Sequence, residues 1–198
     1  MSLEVGESKA NVAAARRGES VERSNALFRV VRDVRLLLIA LWLGGAVFFS
    51  AAVAPIAFSV LRARNVAYAN EAAGTIVTRA LAIINTGGFL IALLLLASAF
   101  LFRWGATRRA LFVETVSLAL MAIMTAVGQW VIAAHMLALR AAMMRPIDDV
   151  PMDDPLRASF NSLHGYSVAA LGVAIIAATV VLLIIARRTE AGTQKKSE

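Results

Sequence analysis

The sequence contains no cysteine, only two histidines and four prolines, and few charges: Asp, Glu, Lys and Arg make up 17% of its 198 residues. The missing cysteine excludes a disulfide framework, a thiolate nucleophile and a cysteine-ligated metal. Four prolines and twelve glycines exclude collagen-like and proline-rich chains. A soluble domain usually carries about 25% charged residues. So low a charge excludes an ordinary soluble protein, and it also excludes disorder, which needs high charge and low hydrophobicity. Catalytic signatures are absent as well. No phosphate loop, no GxGxxG and no HExxH occur, nor does a GxSxG elbow. These absences point to a protein that is not an enzyme and carries no cofactor.

What the chain has is apolar residue. It is 60% hydrophobic, with a mean hydropathy of +0.74. Four runs contain no Asp, Glu, Lys or Arg: Leu36–Leu61, Ala80–Phe102, Thr115–Leu139 and Ala158–Ala186. About 20 helical residues, rising ~1.5 Å each, cross a hydrocarbon core of about 30 Å, so each run is long enough to span. None alternates with period two as a barrel strand does. Backbone groups in lipid must be satisfied within the segment, which makes the runs helices. The expected fold is all-α: a polytopic membrane protein with an antiparallel four-helix transmembrane bundle. Asn85, Thr86, Gly87 and Gly88 interrupt the second run.

Residues 1–35 lack the early apolar stretch of a signal peptide, so the first span is expected to stay as an anchor. Leu27, Val30, Val31 and Val34 recur at helical spacing among Arg29, Arg32, Asp33 and Arg35. This pattern predicts an N-terminal amphipathic lead-in helix over 24–35, with Ser24 or Asn25 as its cap. The expected organisation is a flexible cytoplasmic tail (1–23), a four-span membrane domain (24–188; spans about 36–61, 80–102, 115–139 and 158–186) and a second flexible tail (189–198).

Lys and Arg set membrane orientation. With four spans, both termini and the 103–110 turn share one side, which holds 14 basic residues; the other side holds six: Arg62, Arg64, Arg79, Arg140, Arg145 and Arg157. Both termini should face the cytoplasm. The net charge of +7 and pI near 11.0 follow from these flanks and suit anionic headgroups. No zinc-finger spacing or aromatic RNA-binding motif accompanies them, so nucleic acid is not an expected partner. Trp104 is placed as an interface anchor. Residues 140–157 hold three Pro and four Asp within ten positions (146–155), which reads as a solvated, proline-braced turn.

Polar groups at membrane depth are the usual mark of function. Pro55 is expected to kink span one. Glu114 reads as a carboxylate at the cytoplasmic rim, beside Arg108 and Arg109, and Gln129 as glue between helices. Gly44, Gly45, Gly87, Gly88, Gly165 and Gly172 are candidate faces for close helix contact. His135 and His164 fall at similar depth near the non-cytoplasmic face of antiparallel spans. Two imidazoles there could hold a haem iron or part of a metal site, although a zinc site usually takes three or four protein ligands. The first expectation is structural: His164 supports the junction of loop three and span four, with His135 packed near it.

Three patches resemble a known family. Span one reads Leu41-Trp42-Leu43-Gly44-Gly45, then Phe48-Phe49, and closes with Val53-Ala54-Pro55 and Phe58. A segment from Ala73 and Gly74 to Ala80 precedes span two, and span four opens with Phe160, Leu163-His164-Gly165 and Ser167-Val168. Over about residues 33–186 the chain resembles the transmembrane protein 205-like domain-of-unknown-function family. The resemblance implies four helices and a bacterial inner-membrane location, and supplies no agreed activity. The expected function is a noncatalytic structural or accessory component of that membrane, in contact with lipid and with a homo-oligomer or another membrane protein as possible partner. The alternatives are a small-solute or ion transporter, or a haem- or metal-binding protein using His135 and His164. The charge bias yields a first prediction: reporter fusions at residue 106 and at the C-terminus read cytoplasmic, and a fusion within 148–154 reads external. The opposite pattern would invert the topology.

Overall fold

In the computed structural model, the described residues are 2–101 and 107–194 for the backbone, and 22, 26–101 and 107–187 for side chains. The turn that holds Trp104 lies outside them. Among the described residues the regular structure is helical. Helix α1 (Ser2–Phe48) passes through a π-helical stretch, Phe49–Val53, into α2 (Ala54–Ala63). Helix α3 spans Ala69–Leu101, and α4 (Arg108–Ala126) continues through a second π stretch, Val127–Ile132, into α5 (Ala133–Met143). A 3₁₀ turn over Ile147–Asp149 leads to α6 (Pro155–Gln194). The four membrane-length segments are Ala26–Ala63, Ala69–Leu101, Arg108–Met143 and Pro155–Arg187.

The lead-in segment is not separately capped. Positions 24 and 25 lie inside α1 rather than at its start. No proline precedes Pro55, so nothing removes a backbone donor before that point. Pro55 does leave a mark. It lacks an N–H and crowds the carbonyl four residues back, and the helix widens just ahead of it: the Ala54 N–H donates to the Phe49 carbonyl, five residues back. In the second π stretch the Ala133 N–H reaches the Gly128 carbonyl in the same way.

Helix boundaries follow local chemistry. Thr107 caps α4, its hydroxyl accepting from the Ala110 N–H at 3.2 Å. Helix α5 stops where Met144 turns left-handed, at φ 53°, one residue before Arg145, which the following Pro146 disfavours from helical geometry. Asp154 caps α6, accepting from the N–H groups of Leu156 at 2.8 Å and Arg157 at 3.4 Å, with Pro155 at the first helical position.

Helix α4 packs on α3 and α6, and α1 closes the ring by packing on α6 and α3. Ile39, Trp42, Leu95, Leu118, Met121 and Val181 fill the core, with Ala46, Ala92, Ala122, Ala174, Ala177 and Ala178 between them. Small residues let membrane helices approach closely, and here alanine does most of that. The outward faces carry Leu41, Phe48, Ile83, Leu101, Phe112 and Ile176, all exposed in the single chain. A belt of large apolar side chains around helices of this length is a lipid-facing surface. The chain is therefore a multi-pass membrane protein.

The glycine faces differ from expectation. A Cβ at Gly44, Gly45, Gly87, Gly165 or Gly172 would meet nothing within 4 Å, so those positions do not mediate close packing. Gly88 does. A Cβ there would fall 2.6 Å from Trp42 Nε1 and 2.8 Å from its ring carbon Cζ2. The indole lies across α3 and donates from Nε1 to the Ile84 carbonyl at 2.9 Å. It can lie so close because the glycine has no side chain. Gly88→Ala should therefore destabilise the bundle by about 1–3 kcal/mol, read as a lower melting temperature in detergent. Gly165→Ala should be neutral or stabilising by up to ~1 kcal/mol. Equal effects at both positions would mean that the indole does not sit on Gly88.

Candidate functional site

Polar chemistry concentrates at the two ends of the bundle, and the ends are built differently. At the end that carries the α3–α4 turn, Arg35 of α1 donates to Glu114 of α4, and both side chains are buried. Glu114 is fully buried and Arg35 is 7% exposed. The same guanidinium nitrogen reaches the Leu95 carbonyl of α3 at 3.5 Å. Ser98 also donates to that carbonyl, at 2.8 Å. One contact set thus ties three spans together. Glu114 pairs with Arg35 across the bundle rather than with the neighbouring Arg108 and Arg109, which are exposed. The reason is geometric: α4 begins at Arg108, so Glu114 sits about 9 Å further along the helix, inside the core.

At the other end, loop three is docked rather than free in solvent. Ile147, Val150 and Met143 form a small second core with Leu156 and Phe160. Asp148 accepts from the Asn70 amide at 2.6 Å, from the Glu71 N–H at 3.0 Å and from the Asn70 N–H at 3.3 Å. It thereby caps the start of α3 from a distant part of the chain. Partial burial pushes the Asp148 carboxyl up, but the donors from Glu71 and Asn70 together outweigh this and hold it below the ordinary aspartate value. In return, the Glu71 carboxylate accepts from the Ile147 N–H at 3.2 Å. It also lies 3.1 Å from Arg140 Nε, in ion-pair contact but outside hydrogen-bond geometry. The Arg140 guanidinium stands over the Phe160 ring, 5.8 Å from its centroid.

Just beneath this clamp, α3, α5 and α6 part around a cavity of about 520 Å³. Thr78, Arg79, Asn85, Gln129, Arg140, His164 and Ser167 give it its polar wall, and Trp130, Met136, Leu137 and Phe160 are among its apolar residues. Trp130 packs edge-on against Phe89, with centroids 5.0 Å apart. Asn85 is 3% exposed and Ser167 8%, yet among the described residues neither side chain makes a hydrogen bond to protein. Buried amides and hydroxyls are nearly always paired. Elsewhere in α6, Ser159, Ser162 and Thr179 each donate to the carbonyl four residues back, whereas Ser167 does not. Asn85 faces Gly128 across the second π stretch, its Nδ2 3.1 Å from where a Cβ would stand. The polar atoms of two largely buried residues therefore open onto the cavity without a hydrogen bond to protein.

The two histidines part company. His164 lines this cavity. His135 does not; it is exposed, and its Nδ1 lies 2.9 Å from the Val131 carbonyl of its own helix, to which it donates in the Nδ1-protonated tautomer. The cavity is thus not built from a histidine pair. No group of three or more His, Cys, Asp or Glu that could hold a metal occurs among the described residues. Asn85 and Ser167 are the side chains that sequence reasoning underrated. An asparagine inside an apolar run is the signal, and only the fold shows that no neighbouring helix supplies its partner.

The family described as "Domain of unknown function (DUF4149)" matches residues 37–145. That is more than half of the chain, which belongs to this family, itself linked to the transmembrane protein 205-like domain. The match covers spans one to three, and the Phe160–Ser167 patch lies beyond it. No curated protein and no solved structure matches.

The ion pair generates the prediction of this section. Arg35→Met alone should cost about 3–5 kcal/mol, because it removes the positive charge paired with a buried carboxylate. The double substitution Arg35→Met with Glu114→Leu should recover most of that loss. Thermal unfolding in detergent across the double-mutant cycle measures it, and additive losses would show that the two groups do not depend on each other.

Proposed function

We propose that this member of the DUF4149 family is a noncatalytic accessory protein of the bacterial inner membrane that binds a small molecule between spans two, three and four. One observation carries the reading: Asn85 and Ser167, largely buried, open their polar atoms onto the same cavity and make no hydrogen bond to protein among the described residues. A polar group that opens onto a largely apolar cavity gains about 0.5–1.5 kcal/mol from a hydrogen bond, and a bound ligand supplies the partner. The volume also fits, since small-molecule sites usually enclose about 300–1,000 Å³. Both termini are proposed to face the cytoplasm, on the strength of the 14-to-six bias in basic residues. The cavity then opens at the outer half of the bilayer, below the loop-three clamp.

Binding is favoured over passage by the opposite end of the bundle. There the buried Arg35–Glu114 pair and the alanine-lined core fill the interior. A solute path would need that end to open, which would separate two buried charges.

The test is native mass spectrometry of the full chain released from cell membranes in a mild non-ionic detergent. Wild-type protein should carry an adduct of defined mass, and Asn85→Leu should lose it while keeping its helical circular dichroism. A wild-type protein that appears only as the bare chain would overturn the reading.

A further inference from the structure

A second cavity, of about 400 Å³, lies on the far side of the same helices. Val77 and Leu81 of α3 and His164 and Ser167 of α6 line both chambers. These four side chains therefore lie where the two chambers adjoin, with one chamber on the α5 side and the other on the side of span one. The two chambers have different chemistry. The first offers the Asn85 and Gln129 amides, the Ser167 hydroxyl and the guanidinium groups of Arg79 and Arg140, and no carboxylate lines it. The second is walled by Phe49, Pro55, Phe58, Leu171, Gly172 and Ile175. Its remaining hydroxyl, on Ser50, already donates to the Ala46 carbonyl at 2.8 Å.

We propose that the two chambers form one site for a single-chain anionic amphiphile, with its carboxylate or phosphate head in the first chamber and its acyl chain in the second, passing between them at His164 and Ser167. This rests on the binding reading above and names the class of molecule bound. The head is anionic because the first chamber presents donors and, in Arg79, a positive charge with no ion pair among the described residues, while Arg140 is already paired with Glu71. The tail is apolar because the second chamber has no free donor apart from the shared His164 and Ser167 at its mouth. Entry is from the bilayer, where such molecules reside: Trp130 and Leu137 line the first chamber and are themselves exposed on the outward face. The π-helical stretches border one chamber each, Phe49 and Ser50 the second and Gln129 and Trp130 the first. Local widening of a helix of this kind often marks a functional site.

The test adds palmitate, hexadecanol or octanoate to the full chain in non-ionic detergent and reads adducts by native mass spectrometry. Palmitate should bind one per chain, about tenfold better than hexadecanol, the ratio that one charge-assisted hydrogen bond supplies. Gly172→Phe fills the second chamber without displacing backbone, because a Cβ there meets nothing within 4 Å. It should weaken palmitate about tenfold or more and leave octanoate unchanged, which also shows that the variant is folded. Asn85→Leu should weaken both acids. Hexadecanol binding as well as palmitate would overturn the anionic head, and undiminished palmitate binding to Gly172→Phe would overturn the tail chamber. Protein that retains a cellular adduct but takes up no palmitate would overturn the amphiphile while leaving the binding reading intact. Protein that takes up neither would overturn both.

Discussion

Two opposite charges buried in the core of a membrane bundle fix how its helices can be arranged. Each ion costs several kcal/mol to remove from water, and only close pairing offsets this. Arg35 and Glu114 meet that requirement from different spans, and the Leu95 carbonyl adds a third. Rotating α1 or α4 about its own axis would break the pair, so it sets the rotation of both. Close packing follows: with the helices held in phase, Trp42 can lie across Gly88 and the alanines of α6 can enter the same core as those of α1, α3 and α4.

The other end is looser between its helices because it is held from above. Asp148 caps α3, Asp154 caps α6, and Glu71 reaches back to loop three and to Arg140. These contacts join the ends of three spans through one short loop, so the helices beneath need not touch. The cavities occupy the space this leaves. A bundle closed tightly at one end and bridged at the other can keep an interior volume without losing its fold.

Much of this was legible in sequence. Four charge-free runs marked the four helices, although span three runs past its expected ends at 115 and 139 to cover Arg108–Met143, because flanking arginines do not break a helix. What stayed hidden was what depends on pairing between distant residues. Arg35 looks like one more basic flank, because nothing local shows that α4 starts early enough to bring Glu114 to its level. Gly165 and Gly172 look like packing faces, because small residues at helical spacing cannot say whether a neighbour is present. Asp148 reads as solvated because its partners, Asn70 and Glu71, lie in another span. Asn85 was visible as an odd residue in an apolar run, but that its amide opens onto a cavity can be recognised only once every neighbour is placed.

The π-helical stretches have a consequence for reading any such chain by periodicity. Each holds about one residue more than an α-helix would over the same rise, and one residue is about 100° of rotation. Everything after the stretch is turned by that amount relative to a straight projection from the start of the span. A helical wheel drawn through Arg108–Met143 therefore mixes two phases, one before Val127 and one after Ile132. His135 falls in the second phase. Its outward position, bonded to its own helix, is the visible result of an angular offset that a single wheel cannot contain.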